Sequence, residues 1–301
     1  MNYEKNFTIG VVGLGLMGAS LAMALKGFKN ATIIGTDIDE KICRQAEQDG
    51  VVSEAYTDPG RVFEQAGLLI FCVYAHHIPG LLEAHGHLLR PGCVVSDICG
   101  VKGPLYEKIM PPALAAPASE TLASSETLIP GHVIYVGAHP MAGKERDGYK
   151  NADADLYKNS GFILIPTERS TPESIALIRE MAGHIGASRV AQAGPEEHDA
   201  LIAYTSDLMH AAAAGLCVRP HPGFDLAFTA GAFRDCTRVA DINAGAWTEL
   251  LMDNRKNTAK ALERYIEDLQ AMREALVNED KEALYQLLQT AGENKRTMKN
   301  L

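Results

Sequence analysis

Apolar residues in the first two thirds of the chain fall into short continuous runs, and the segments between several of them carry helical spacing. FTIGVVGLG (7–15), ATIIGTD (31–37), LLIFCVYA (68–75), CVVSDIC (93–99), HVIYVGAHP (132–140) and GFILIPT (161–167) read as strands. LMGASLAMALKGF (16–28), DEKICRQAEQDG (39–50) and TPESIALIREMAGHIG (171–186) read as helices. Near-continuous apolar strands alternating with helices predict a mostly parallel, doubly wound α/β sheet covered on both faces. After about residue 192 the β-branched runs stop. PEEHDALIAYTSDLMHAAAAGLCV (195–218) predicts one long helix, and AWTELLMDNRKNTAKALERYIEDLQAMREAL (246–276) another, with Leu250, Leu251, Leu262, Ile266, Leu269, Met272 and Leu276 on roughly one face. A shorter helix is expected over 278–296. The pattern therefore divides the chain into an α/β domain, 1–192, and an all-helical domain, 193–301, of the kind that builds a dimer interface behind a nucleotide domain. The Pro-, Ala- and Ser-rich stretch 111–131 is expected to be a surface connection without chemistry.

Charge narrows the partners. Lys and Arg number 28 against 38 Asp and Glu, a net −10 with no basic run, which argues against nucleic acid and leaves small anions that a few arginines can hold. No apolar stretch is expected to be long enough to span a bilayer, and MNYEKNFTIG lacks the regions of a secretory leader, so a cytoplasmic, non-membrane protein is expected. Six scattered cysteines without a C-x-x-C pair predict reduced, mostly buried thiols. His76, His77, His85 and His87 crowd one stretch, yet no cysteine or carboxylate accompanies them at a ligand spacing, and a solvated helix and loop is expected rather than a metal site.

The first apolar run opens into Gly13-x-Gly15-x-x-Gly18, followed by a helix of small residues, and Asp37 closes the next strand. That context makes a Rossmann-like dinucleotide site: Gly13 for the tight turn, Gly15 for approach of the pyrophosphate, Gly18 for close helix packing, and the helix N-terminus for the phosphates. Leu16, Met17 and Val73 are counted with them as cofactor-binding. Asp37, able to accept from both ribose hydroxyls and without an arginine beside it, favours NAD over NADP. In GAHPMAGKERDG (137–148), His139 is expected at the carboxyl end of a strand, on a glycine-containing loop facing the cleft.

VVGLGLMGASLAMAL, SDICGVKG, GAHPMAGKERDGYKNADADLY, EEHDALIAYTSDLMHAAAAGL and GAFRDCTRVADINAGAW together resemble, in order, the signatures of the prephenate and arogenate dehydrogenases of tyrosine biosynthesis, over residues 10 to about 250. The resemblance implies that His139 is the catalytic base acting on the substrate's ring hydroxyl, that Arg238 binds a substrate carboxylate, and that His210 and Ser206 lie near the substrate. It gives His198 a lesser, structural part. Arg234, four residues before Arg238 and expected on the same helix face, is a second candidate for the carboxylate, and Asp235 is expected to pair with one of them or to line the cleft entrance. Trp247 is expected near the substrate, reaching across a dimer, or in the core. His198 and His210, twelve apart, are expected on roughly the same side of their helix, and Asp97 behind the site.

Two residues depart from the family pattern: Gly100 stands where serine is common, and Asp207 where S-H-L-P-H has histidine. Both bear on the hydrogen-bond network and on substrate preference. The reaction implied is NAD-dependent oxidative decarboxylation of prephenate to 4-hydroxyphenylpyruvate, by a homodimer. The alternatives are arogenate dehydrogenase, a β-hydroxyacid dehydrogenase, or an inactive NAD-sensing regulator. The β-hydroxyacid enzymes use a lysine on the long helix, and residues 198–216 contain none.

Overall fold

A computed structural model describes residues 7–110, 127–144 and 146–298. The Pro- and Ala-rich connection lies mostly outside the described residues. In chain order the elements are β1 (Thr8–Val12), α1 (Leu16–Ala24), β2 (Thr32–Thr36), α2 (Glu40–Gln48), β3 (Glu54–Tyr56), α3 (Gly60–Gln65), β4 (Leu68–Phe71), α4 (Ile78–His85), β5 (Val94–Asp97), α5 (Gly103–Ile109), β6 (Ile134–Met141), β7 (Gly161–Pro166), α6 (Pro172–His184) and β8 (Arg189–Gln192). Helices alone follow: α7 (Pro195–Ile202), α8 (Leu208–Val218), α9 (Gly231–Thr237), α10 (Ala244–Asp253), α11 (Arg255–Val277) and α12 (Lys281–Met298).

The eight strands form one sheet in the order β3-β2-β1-β4-β5-β6-β7-β8, parallel except where β7 runs antiparallel to β6. Two apolar clusters sandwich it. One joins Ile9, Val11, Leu21, Leu68 and Ile70 to Phe162, Leu177 and Met181; the other joins Val62, Phe63, Leu69, Phe71 and Val95 to Leu105 and Tyr135. This burial on both faces is what the continuous apolar runs require.

The chain turns from β1 into α1 and from β2 into α2 at the same end of the sheet, where ligands of such sheets bind. β5 follows β6 only through the pairs Val94–Ile134 and Val95–Tyr135, after which the two strands part. β6 continues with β7 alone, as far as Met141 opposite Gly161. His139 therefore stands within a strand, opposite Ile163, and not on a loop beyond it. It lies four residues past the last contact with β5, at the mouth of the gap between those strands.

The helical region differs from the sequence pattern at three places. The 246–276 helix is two helices, α10 and α11, separated at Asn254. Arg238 lies beyond the end of α9 and opens a 3-10 turn, so it does not continue one helix face with Arg234. The helix over Pro195–Val218 is continuous and, by length and composition alone, apolar enough to cross a membrane; its buried His198, Asp199 and Asp207 are instead hydrogen-bonded inside the protein. The six cysteines are free; Cys43, Cys93 and Cys99 are buried, Cys72 is partly so, and Cys217 and Cys236 are exposed.

Tight packing of α5 on β6 gives a stability prediction. A Cβ on Gly137 would lie 1.7 Å from the hydroxyl oxygen of Tyr106, whose side chain is buried against Tyr135. Gly137→Ala should destabilise the protein by about 1–3 kcal/mol, read as a lower urea midpoint with unchanged slope.

Candidate active site

The glycine turn is shaped by what a side chain would strike. Gly13 has φ 95°, and a Cβ there would lie 2.7 Å from Val73 Cγ1 and 2.8 Å from the Cys72 carbonyl oxygen. A Cβ on Gly18 would come within 1.8 Å of the Gly13 carbonyl. A Cβ on Gly15 would meet nothing within 4 Å, so the backbone is open there. Gly15 is the N-cap of α1 and supplies no side-chain cap, leaving first-turn N–H groups presented to that opening. Asp37, at the end of β2, is held by Leu14 N–H to Oδ2 (2.9 Å) and Asp39 N–H to Oδ1 (3.0 Å). Leu16 is buried, and Met17 packs on the core while its carbonyl accepts the Tyr157 hydroxyl at 2.7 Å. The cradle fits a dinucleotide, with Asp37 placed for a ribose.

A second group of side chains surrounds His139. Its Nδ1 lies 2.8 Å from Nε2 of His198, and Nδ1 of His198 lies 2.7 Å from Oδ1 of Asp199. Asp199 also accepts from the backbone N–H groups of Lys102 (2.9 Å) and Gly103 (2.7 Å) at the start of α5. A carboxylate only accepts, so neutral His198 donates from Nδ1 and keeps its lone pair at Nε2. His139 then donates from Nδ1, and its own lone pair is at Nε2, which contacts no donor among the described residues. The family resemblance gives His198 a lesser, structural part, and nothing in the sequence pattern singles out Asp199. Adjacency in EEHD was the signal, but the contact to His139 spans 59 positions.

Beneath His139, Lys102 and Asp97 form an ion pair with both side chains fully buried. Lys102 Nζ also donates to the Ala138 carbonyl at 2.6 Å, and Asp97 further accepts from the Tyr135 hydroxyl (2.7 Å) and Cys99 N–H (2.9 Å). Burial, then the Lys102 ammonium, then His198 hold the His139 imidazole well below its usual 6.5. The imidazole is therefore neutral at pH 7.

Between α7 and α8 the helix widens into a π-turn over Ala203–Asp207. Twelve residues of plain α-helix rotate about 1200°, leaving His198 and His210 about 120° apart rather than on one side. The wide turn takes up an additional residue and removes about 100° of that offset. His210 donates from Nδ1 to the Ser206 carbonyl (2.9 Å) and stacks on Trp247, ring centroids 3.6 Å apart. Trp247 is half-buried and stacks on the histidine of its own chain, so it is not a core residue here. Ser206 is partly exposed at the turn; Arg234, Asp235 and Arg238 are exposed, and the turn at Arg238 packs against α8.

Both departures from the family pattern have a visible consequence. A Cβ on Gly100 would lie 4.0 Å from His139 Cε1 and 3.3 Å from Leu250 Cδ2, so glycine leaves open a place beside that imidazole. Asp207 is buried; its Oδ2 accepts from Asn254 Nδ2 (2.8 Å) and Thr258 Oγ1 (2.9 Å) at the break between α10 and α11. Asn254 donates in addition to the Asp199 carbonyl (2.9 Å), tying that break to the helix carrying His198. Burial raises the Asp207 carboxyl, and those two hydrogen bonds oppose the rise. Of the histidines in the 76–87 stretch, His76 and His77 are exposed, and His85 packs on Phe63 at 5.5 Å.

Comparison with known proteins bears on both halves of this arrangement. Residues 21–191 match the prephenate dehydrogenase nucleotide-binding domain and residues 194–290 the prephenate dehydrogenase dimerization domain. The chain is 27% identical to prephenate dehydrogenase of Bacillus subtilis over 97% of its length and 76% of that protein's. It is 26% identical to cyclohexadienyl dehydrogenase of Zymomonas mobilis, over 90% of this chain and 89% of that one. Among solved structures it superposes on prephenate dehydrogenase from A. aeolicus in complex with hydroxyphenyl propionate and NAD+, at TM-score 0.80 and 26% identity over 97% and 98% of the two chains. It superposes equally fully on Synechocystis arogenate dehydrogenase, at TM-score 0.77 and 27% identity over 97% and 100%.

The Lys102–Asp97 pair gives a direct test of the site's foundation. Lys102→Met leaves a buried carboxylate without its cation and should destabilise the protein by about 3–5 kcal/mol, measured as the shift in denaturant midpoint.

Proposed function

The chain belongs to the prephenate dehydrogenase family, and from that premise we propose that it carries out the NAD-dependent oxidative decarboxylation of prephenate to 4-hydroxyphenylpyruvate. The observation that supports this most is His139, a neutral imidazole whose Nδ1 is occupied by His198 and whose Nε2 is left for a substrate proton. When bound, NAD supplies the nicotinamide ring that accepts a hydride, and Gly13, Gly15, Gly18 and Asp37 are the residues that would hold it.

His139 accepts the ring-hydroxyl proton at Nε2 as hydride leaves the carbon bearing that oxygen. Loss of carbon dioxide then makes the ring aromatic, and His139 returns the proton to the same oxygen, now a phenol. Aromatisation drives the sequence forward. Prephenate carries two carboxylates; Arg238 is the candidate for gripping one, with Arg234 as the second candidate, and the planar guanidinium fork suits that role. His210 and Trp247, stacked together, and Ser206 form the wall on the helical side. Gly100 makes room beside the base where a hydroxyl is common, so orientation of His139 falls to His198.

A homodimer is part of this proposal. The apolar face expected on α11 remains open in the single chain, with Ile266 49%, Leu269 45% and Leu276 63% exposed, and a second copy would cover it. The match of residues 194–290 to a dimerization domain supports that reading.

Reduction of NAD with release of carbon dioxide is expected on adding prephenate, and the same assay with arogenate measures preference from the ratio of rates. Silence with both substrates, with NAD bound, would overturn the assignment. His139→Asn should lower kcat by about 10²–10⁴-fold while NAD affinity, measured by titration, stays within about twofold. Because burial, the Lys102 ammonium and His198 all oppose a charged His139, an acid limb of kcat/KM set by that imidazole alone should lie below 6.5, with activity lost as pH falls through it, and a limb at 6.5 or above would put the titrating proton on another group.

A further inference from the structure

The chain of acceptors behind His139 is more than a brace. Asp199 is held by three donors, His198 Nδ1 and the backbone N–H groups of Lys102 and Gly103. His198 is 1% exposed, with one ring nitrogen on Asp199 and the other on His139. On the other side of His139, the Lys102 ammonium lies against the Ala138 carbonyl and Asp97. Charge along this line is asymmetric. A cation, itself paired with Asp97, lies on one side of His139, a carboxylate is in direct contact with His198, and neutral Gly100 is near His139 Cε1. Positive charge gained by His139 is therefore repelled by Lys102, and the same charge on His198 is countered by Asp199 in direct contact.

We infer that His198 and Asp199 form a relay that receives the charge His139 collects: as His139 takes a proton at Nε2, its Nδ1 proton passes to Nε2 of His198, which becomes an imidazolium paired with Asp199. One proton enters at His139 and one crosses between the rings, so the net gain is a single proton held by the pair. His139 ends neutral in the opposite tautomer, with its proton at Nε2. His198 is thus a positioning residue that also stores the charge, and the Asp199 carboxylate sets the direction of transfer. The return of the proton to the product runs the same path backwards. In the enzyme this rests on the reading of His139 as the substrate's base, but the tautomer exchange is a property of the protein alone.

That separation defines the experiment. Protein labelled with 15N-histidine is titrated with acid in the absence of any substrate, with His198→Gln and His139→Asn identifying the two sets of ring signals. The expected resting state has His139 protonated at Nδ1 and bare at Nε2. On acidification the first proton gained by the pair should leave His198 doubly protonated and convert His139 to the Nε2–H tautomer. A resting His139 bearing its proton at Nε2 would overturn the relay, as would direct formation of a doubly protonated His139 beside a neutral His198. Kinetics supply a second arm. Glutamine at 198 can still accept from His139 Nδ1 but cannot take the proton, so His198→Gln should keep KM within about twofold and lose about 10²-fold in kcat. Full kcat in His198→Gln would reduce His198 to a brace and overturn charge storage. Absence of turnover with prephenate and arogenate in the parent protein would count against the functional proposal, while the titration still decides the relay.

Discussion

Where β5 and β6 part company after Tyr135, the sheet has to be closed by something other than a backbone ladder, and the Lys102–Asp97 pair closes it. Lys102 reaches the Ala138 carbonyl that the ladder has released, and Asp97 collects the Tyr135 hydroxyl and a backbone N–H. Burying two charges carries a desolvation penalty that their attraction rarely exceeds, so the pair is better understood as a fixture than as a source of stability. Its backbone extends the fixture: Lys102 and Gly103 N–H groups fall on Asp199 of α7, and the strand carrying His139 and the helix carrying His198 are referred to one point.

From that point the charges alternate outward. Asp97 pairs with Lys102, burial and then the Lys102 ammonium disfavour charge on the neighbouring imidazole, and Asp199 stands behind the second imidazole. The helical domain is held to this row through polar contacts, Asn254 bridging the Asp199 carbonyl and the Asp207 carboxylate at the break between α10 and α11. Residue 207, where a histidine is common, therefore acts on the joint between helices, through Asn254 and Thr258.

Much of this was legible in the chain because it is local. The turn after β1 needs glycine for reasons of sterics within a few residues, and Asp37 follows from the next strand's end. β3 and β8 escaped because they are short edge strands, with Glu54, Arg189 and Gln192 exposed, and leave no apolar run to read. The apolar pattern ends at Pro140 and so predicts a loop at His139, whereas pairing with β7 continues to Met141. The division at Asn254 has no glycine or proline to announce it; the side chain is drawn aside by Asp199 and Asp207, partners about fifty positions away. Asp199 was missed for the same reason, since its significance lies in what the fold brings to it.

The π-turn at Ala203–Asp207 carries a further implication. It stores one residue more than an α-helix of the same rise would hold, and that surplus sets the rotation of everything after it relative to everything before. Side-chain chemistry on the two segments can vary independently while the phase between them is preserved, whereas losing the surplus residue would turn one segment about 100° against the other. In such a helix the arithmetic of the chain, more than its alphabet, decides whether His210 and His198 look into one space.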